Sequence, residues 1–320
     1  MAAAALGVAV RADDLTAAAV DHARNLDRLV VRTWLLRGTL HLVAAEDVHW
    51  LLELVRKRLA TANRRRRAEI GLDDADTERG VRIVAQSVEA HGPLTRAQIA
   101  DRLRRAGIAF EGQATIHVIW RAAIDGLVCY GLDQDGAETF VALEHWVPPQ
   151  QRRTPSDPIL ELARRYLAAC GPATREDFTA WSGLPGGDVR RAWTALRAEA
   201  DSVSTPFGEM LVATQHSRPG NPIARLLPAF DTIWVAYRDH DVFLRREHHK
   251  HVFPGGGIIR PLVFADNHVV GSWTRRTTRH GIDVAVDLID AVDQDTLNAA
   301  VAEFGRIADR PATLLHRSKS

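Results

Sequence analysis

Lysine is nearly missing from this chain: Lys57, Lys250 and Lys319 are the only three among 41 basic residues. Positive charge is therefore carried by arginine, whose planar fork suits phosphate better than a point charge does. With so many alanines alongside, the nucleotide composition of the gene can produce this bias, so arginine content alone identifies nothing. Cysteine is almost as scarce. Cys129 and Cys170 form no CxxC pair, which removes a zinc site and a disulfide framework and fits a reducing compartment. No run approaches the ~18 apolar residues of a membrane span. The alanine-rich start, Met1 to Leu6, has no basic leader and is too short for a signal peptide, so a cytoplasmic protein without membrane association is expected. Gly255-Gly256-Gly257 lets the backbone approach something closely, but the loop lacks a Walker lysine and precedes no evident helix. No G-x-S-x-G is present. His248, His249 and His251 beside Glu247 are contiguous, and contiguous histidines rarely converge on one ion. No metal and no cofactor is expected.

The stretch that is most distinctive runs from Leu29 to Val43, LVVRTWLLRGTLHLV. It is rich in β-branched and aromatic residues and has a glycine after Arg37, which predicts two strands folded over a tight turn. Val31, Thr33 and Leu35 share one face, and Val30, Arg32, Trp34 and Leu36 the other. Arg37, Thr39 and His41 then gather at the tip. They suit a surface that meets phosphate or a base edge; the alternative is an ordinary solvated turn.

Around that hairpin the chain alternates between helical and turn patterns. Leu15, Ala18, Ala19 and His22 predict a helix over 14–27, with Asp13 or Asp14 as its cap. A second helix follows the hairpin at Val48–Leu59. Arg56, Lys57 and Arg58, then Arg64, Arg65, Arg66 and Arg67, set seven cations against Glu53. From Val81 the pattern reads helix, helix, helix, hairpin. Thr95-Arg96-Ala97-Gln98 has capping-box form, and Asp135-Gly136 is a strong hairpin turn. That order is a winged helix-turn-helix. A Pro- and Arg-rich linker at 148–155 precedes a recurrence, in which Ala173-Thr174-Arg175 matches Leu94-Thr95-Arg96 seventy-nine positions earlier. After residue 203 short strands are expected at Met210–Thr214, Thr232–Tyr237, Leu262–Ala265, His268–Trp273 and Ile282–Ile289, then an amphipathic helix through Leu297, Val301 and Phe304. The expected fold class is α+β: tandem winged helix-turn-helix units plus a small antiparallel β-rich domain. Its bounds are 1–72 for a first, N-terminally incomplete unit, 77–147 and 156–215 for the second and third, and 222–320 for the β-rich domain.

Two blocks carry a family resemblance. The first is R-T-W-L-L-R-G-T-L-H-L with V-A-A-E-D after it. The second is Leu226-Leu227-Pro228-Ala229-Phe230-Asp231, Tyr237-Arg238-Asp239, Pro254 to Gly257, Arg260-Pro261 and Val270-Gly271-Ser272-Trp273. Their content and spacing resemble the azinomycin-resistance (AlkZ-type) winged-helix DNA glycosylases over nearly the whole chain. Such enzymes excise an alkylated base, which requires unstacking the nucleotide and directing water at the sugar carbon. The resemblance places that work on a Gln-x-Gln, sometimes Gln-x-Asp, pair just ahead of the segment that is here Ala3-Ala4-Ala5-Leu6-Gly7. Met1 stands where the pair would end. Either the reading frame begins upstream, the reading the incomplete first unit favours, or this copy has lost catalysis. No catalytic residue is therefore assigned.

The candidate DNA contacts are Arg37, Thr39 and His41 at the hairpin and Arg64 to Arg67 beyond it, which could equally be an exposed helix end. His117 and Arg121 on the second unit could read a groove, although Asp133, Asp135 and Glu138 make its wing acidic. Arg190, Arg191 and Arg197 are exposed candidates in the third. Arg260, Arg275 and Arg276 with Arg279 surround Trp273, a combination that suits unstacked nucleic acid; the alternative, favoured for Trp273, is a sheet face packed on the third unit. The expected partner is double-stranded DNA, alkylated or crosslinked DNA included, bound by a monomer. Competing with a glycosylase are a non-catalytic DNA-binding relative and a winged-helix transcription regulator, against which the lack of an evident dimerisation helix counts.

Overall fold

The computed structural model describes residues 3–108, 113–214 and 224–315. Two compact units divide the chain: Ala23–Glu161, and a discontinuous one of Met1–His22 with Leu162–Ser320. The antiparallel pairings and mixed helix and strand content are those of an α+β fold. Among the described residues no helix is long and apolar enough to cross a membrane.

In the continuous unit, Val30–Trp34 pairs antiparallel with Leu40–Ala44, from Val30 opposite Ala44 to Trp34 opposite Leu40. Val31, Thr33 and Leu35 are buried, as the alternation predicts. Helices follow at Val48–Ala62, Arg64–Glu69, Asp74–His91, Arg96–Arg105 and Ala114–Ile124. Asp47 is buried because its carboxylate accepts the Trp50 indole N–H at 2.9 Å, which anchors the start of the first of these. The capping box at Thr95 and Gln98 is formed. A three-stranded sheet closes the unit, with Thr139–Ala142 between Leu94–Thr95 and Val128–Tyr130. Its turn has left-handed backbone at both Asp135 and Gly136, as that dipeptide favours. Val84, Val88, Ile99, Leu103, Val118 and Ile119 fill the core. Trp34 ties the first hairpin to that core: its ring lies 5.0 Å from Tyr130 and 6.3 Å from Phe140.

The discontinuous unit begins with the short helix Ala3–Ala9. The helix expected over 14–27 is confined to Ala17–Asn25, and Thr16 rather than Asp13 or Asp14 accepts the Ala19 N–H. Helices Pro158–Cys170, Arg175–Ser182 and Gly186–Leu196 lead to a hairpin of Ala200–Thr205 and Gly208–Ala213. Thr174 and Asp177 form a second capping box. Asp188 lies in the first turn of Gly186–Leu196, paired to Arg191. Tyr166, Phe178, Trp181 and Trp193 stack in the core of these helices. The final sheet has five strands, in the order Ala312–Leu315, Ile282–Leu288, His268–Thr277, Leu262–Ala265, Arg225–Leu227. Its outermost pair, Ile282–Leu288 with Ala312–Leu315, is parallel, because the helix Gln294–Ile307 carries the chain back over the sheet. Gly271 is needed there: a Cβ would lie 2.5 Å from the carbonyl oxygen of Asp287 on the neighbouring strand.

One expected strand is a helix. Thr232–Ala236 is rich in β-branched residues, yet it is helical because Asp231 caps it, its carboxylate accepting the Ile233 N–H at 2.9 Å. The same carboxylate, almost wholly buried, is gripped at both oxygens by the Arg11 guanidinium at 2.9 and 2.5 Å. This fixes the N-terminal segment on the C-terminal half of the unit. Asp231→Asn keeps an acceptor but removes the charge. Because Arg11 is partly solvated, a loss of about 2 kcal/mol is expected, read as a lower thermal midpoint together with faster hydrogen exchange at Ala5–Ala9. Unchanged exchange there would show that another contact holds the helix.

Candidate nucleic-acid interface

The hairpin tip is five residues long and closed by its own backbone. Leu35 N–H donates to Thr39 O at 2.9 Å, and Gly38 N–H to Leu35 O at 2.7 Å. The turn requires two consecutive left-handed residues, Arg37 (φ 58°) and Gly38 (φ 76°). Glycine adopts this backbone freely, whereas a side-chained residue there costs about 1 kcal/mol. Glycine or asparagine would meet the backbone requirement at 37 more cheaply, so what arginine adds there is its side chain. Thr39 and His41 brace the turn. Thr39 Oγ1 donates to Leu36 O at 3.1 Å and lies 3.0 Å from His41 Nε2, which is 3.3 Å from the same carbonyl. Arg37 and Thr39 are exposed and His41 is half-buried. Desolvation, ahead of the repulsion from Arg37, holds the imidazole of His41 below its ordinary value, against the Leu36 hydrogen bond.

Beneath the tip lies a cavity of about 450 Å³, lined by Trp34, Arg37, Leu59, Asn63, His117 and Trp120. Trp120 Nε1–H donates to Gly38 O at 3.4 Å. His117 and Asn63 face each other at 3.4 Å, and burial followed by the charges of Arg66 and Arg67 lowers the His117 pKa. His117 is thus a neutral group in an aromatic-walled hollow behind the arginine tip, a placement that helical periodicity did not reveal. Arg121 is not beside it in role: its guanidinium pairs with Asp125 at 2.8 Å.

The arginine run divides. Arg64, Arg65 and Arg66 are exposed, with ion pairs to Asp74 or Glu69, and Arg66 also reaches the Gln113 side chain at 3.1 Å. Arg67 is turned inward. It is 2 % exposed, donates to Ala60 O at 3.1 Å and holds Asp74 at 2.7 Å, which depresses the Asp74 pKa. It is a brace between helices, and no DNA can reach its guanidinium.

In the other unit, Arg260, Arg275 and Arg276 are exposed. Arg260 donates to His251 O at 3.1 Å, Arg275 lies over the Phe304 ring and Arg276 pairs with Asp283 at 2.8 Å. Trp273 is no stacking platform. It is buried, donates its indole N–H to Leu227 O at 2.8 Å and meets Phe304 of the helix Gln294–Ile307 edge-on at 5.0 Å. It packs in the sheet against that helix. Two adjoining hollows share Pro261, Trp273 and Thr274. One, about 310 Å³, also takes in Arg260, Ser272 and Asp287. The other, about 140 Å³, takes in Ala3, Pro228, Ala229 and Arg275. At the larger, Ser272 Oγ lies 3.0 Å from His251 Nε2, a pair twenty-one residues apart that no spacing rule announced. Gly255-Gly256-Gly257 approaches nothing closely: a Cβ at any of the three meets no atom within 4 Å, and the run is simply a tight turn closed by Gly255 and Ile258. Arg191 and Arg197 are paired to Asp188 and Glu209. Among the described residues no group of three His, Cys, Asp or Glu is placed to hold a metal.

The cationic hairpin tip lies in the continuous unit and the hollow lined by Ala3 in the discontinuous one. A family model described as DNA glycosylase AlkZ-like matches residues 1–309, so the chain belongs to that family. It is 26% identical over 267 residues to an interstrand DNA cross-link repair glycosylase of Streptomyces sahachiroi, covering 77% of this chain and 71% of that protein. The solved structure of the Streptomyces sahachiroi DNA glycosylase AlkZ has the same fold, with a TM-score of 0.78, 22% identity, and coverage of 97% of this chain and 88% of that one.

His41 yields a pH test. Its folded pKa lies below the unfolded 6.5, so below pH 6.5 the unfolded chain binds more protons and stability falls with the pH; above 6.5 the contribution is complete. His41→Gln should therefore lose less stability than the parent between about pH 7 and 5. Parallel pH profiles would show that the ring is not held neutral by the tip.

Proposed function

We propose that this chain binds double-stranded DNA through the hairpin tip, with Arg37 reaching a phosphate or base edge and Thr39 and His41 holding the turn in shape. Arg64, Arg65 and Arg66 extend the contact along the backbone, and Arg260, Arg275 and Arg276 supply a second set of cations; Arg67 is left out because it is buried in the fold. The observation that carries the reading is the arginine at an exposed left-handed position where a structural turn would use glycine. Kinship with a cross-link repair glycosylase makes alkylated or crosslinked duplex the natural target. The helix, helix, helix, hairpin runs within 77–147 and 156–215 act as winged-helix frames, and the protein works as a cytoplasmic monomer without a cofactor.

The family's Gln-x-Gln pair precedes the segment that is here Ala3–Gly7, and Ala3 lines the 140 Å³ hollow beside Arg275. That hollow is the proposed place for the target nucleotide.

Arg37→Ala should weaken duplex affinity about tenfold and make the log–log salt slope shallower by about 0.9, with no loss of thermal stability. Arg37→Gly should bind equally weakly while melting at or above the parent. Unchanged affinity across the salt series would remove the hairpin from the interface.

A further inference from the structure

Eight non-glycine residues among those described have positive φ, and five of them are Asp or Asn, which tolerate that backbone. The exceptions are Arg28, Arg37 and Phe230. Phe230, at φ 58°, is the sole aromatic among them, and the residue is 59 % exposed. It belongs to Leu226-Leu227-Pro228-Ala229-Phe230-Asp231, whose other members are well accounted for. Leu226, Leu227 and Pro228 are buried, and Asp231 is buried in its ion pair and cap. Glycine or asparagine at 230 would let Asp231 turn inward with less strain. An exposed ring gains no core burial in return. Folding therefore explains the backbone at 230 but not the phenylalanine.

Its surroundings indicate an occupant. Pro228 and Ala229, directly before it, line the 140 Å³ hollow, and the exposed Arg275 lines the same hollow. A rigidly held apolar ring beside a cavity and a cation is the arrangement by which a protein enters a base stack while a neighbouring phosphate is held. The backbone is anchored by buried Pro228 two positions before it and buried Asp231 directly after it, which fixes where the ring is presented.

We infer that Phe230 is a wedge that inserts between stacked bases of duplex DNA and occupies the space left when a nucleotide is drawn out beside it. This rests on the DNA-binding reading above, and adds to it a specific residue for unstacking. Phe230 is thus distinct in role from Arg37, which governs attraction to the backbone.

The test uses the 320-residue chain and a short duplex with 2-aminopurine next to a single 7-methylguanine. Saturating parent protein should raise 2-aminopurine emission severalfold as the probe unstacks. Phe230→Ala and Phe230→Gly should retain the parent's salt slope but lose most of that rise, and Phe230→Leu should retain part of it. Phe230→Gly relieves the backbone and should melt no lower than the parent, which guards against a folding artefact. An equal rise in parent and variants, or tight binding by the parent with no rise, overturns the wedge while leaving DNA binding intact. Absence of duplex binding by the parent overturns the DNA-binding reading itself, and the wedge with it. A parent that self-associates through this residue, with Phe230→Ala monomeric and the rise unaffected, assigns the ring to a second copy of the chain instead.

Discussion

A single buried carboxylate bonds across the two separated stretches of the discontinuous unit. Asp231 accepts two hydrogen bonds from Arg11, 220 positions earlier, and caps the helix that follows it. Its charge is shielded from water on nearly every side, so the pair is stable only with both partners in place. Three features lie beside this grip: the seat of Ala3–Ala9 against Pro228, the small hollow lined by both segments, and the exposed loop at Phe230. The L-P-A-F-D run is thereby a structural clamp with an unexplained aromatic carried on its outer side.

Strain is distributed in the same sense in both units. At Arg37 and at Phe230 a large side chain occupies backbone that glycine would adopt more cheaply, and both side chains face outward. Each is supported by groups that have given up their own freedom. Thr39, His41 and Trp120 bond to the backbone of the hairpin tip, and Asp231 anchors the other loop. Rigid presentation lowers the entropy lost on meeting a partner, which is a physical use for strain that folding alone would remove.

The charge pattern shows how far composition can mislead. Four consecutive arginines look equivalent in one dimension, yet a helix turns each by about 100°. Arg67 thus falls on the inner side and becomes a buried brace to Asp74, while Arg64, Arg65 and Arg66 stay in water. Trp273 inverts in the same way. Flanked by cations in sequence, it is nonetheless buried edge-on against Phe304 of the helix Gln294–Ile307, while Arg275, two positions on and therefore on the same face, lies over that ring and stays exposed.

From its residues alone this protein declared whatever depends on near neighbours. The hairpin faces at Val31, Thr33 and Leu35, the Asp135-Gly136 turn, the box at Thr95 and the recurrence of its sequence at Thr174 are all encoded within a few positions, where backbone preference and side-chain reach act directly. Tertiary structure decided the rest. Thr232–Ala236 became a helix against its β-branched composition, His117 came to lie under the hairpin, His251 met Ser272, and Phe230 was left in solvent on left-handed backbone. Each of those outcomes depends on groups far apart along the chain, and local propensities of a few tenths of a kcal/mol yield to contacts of that kind.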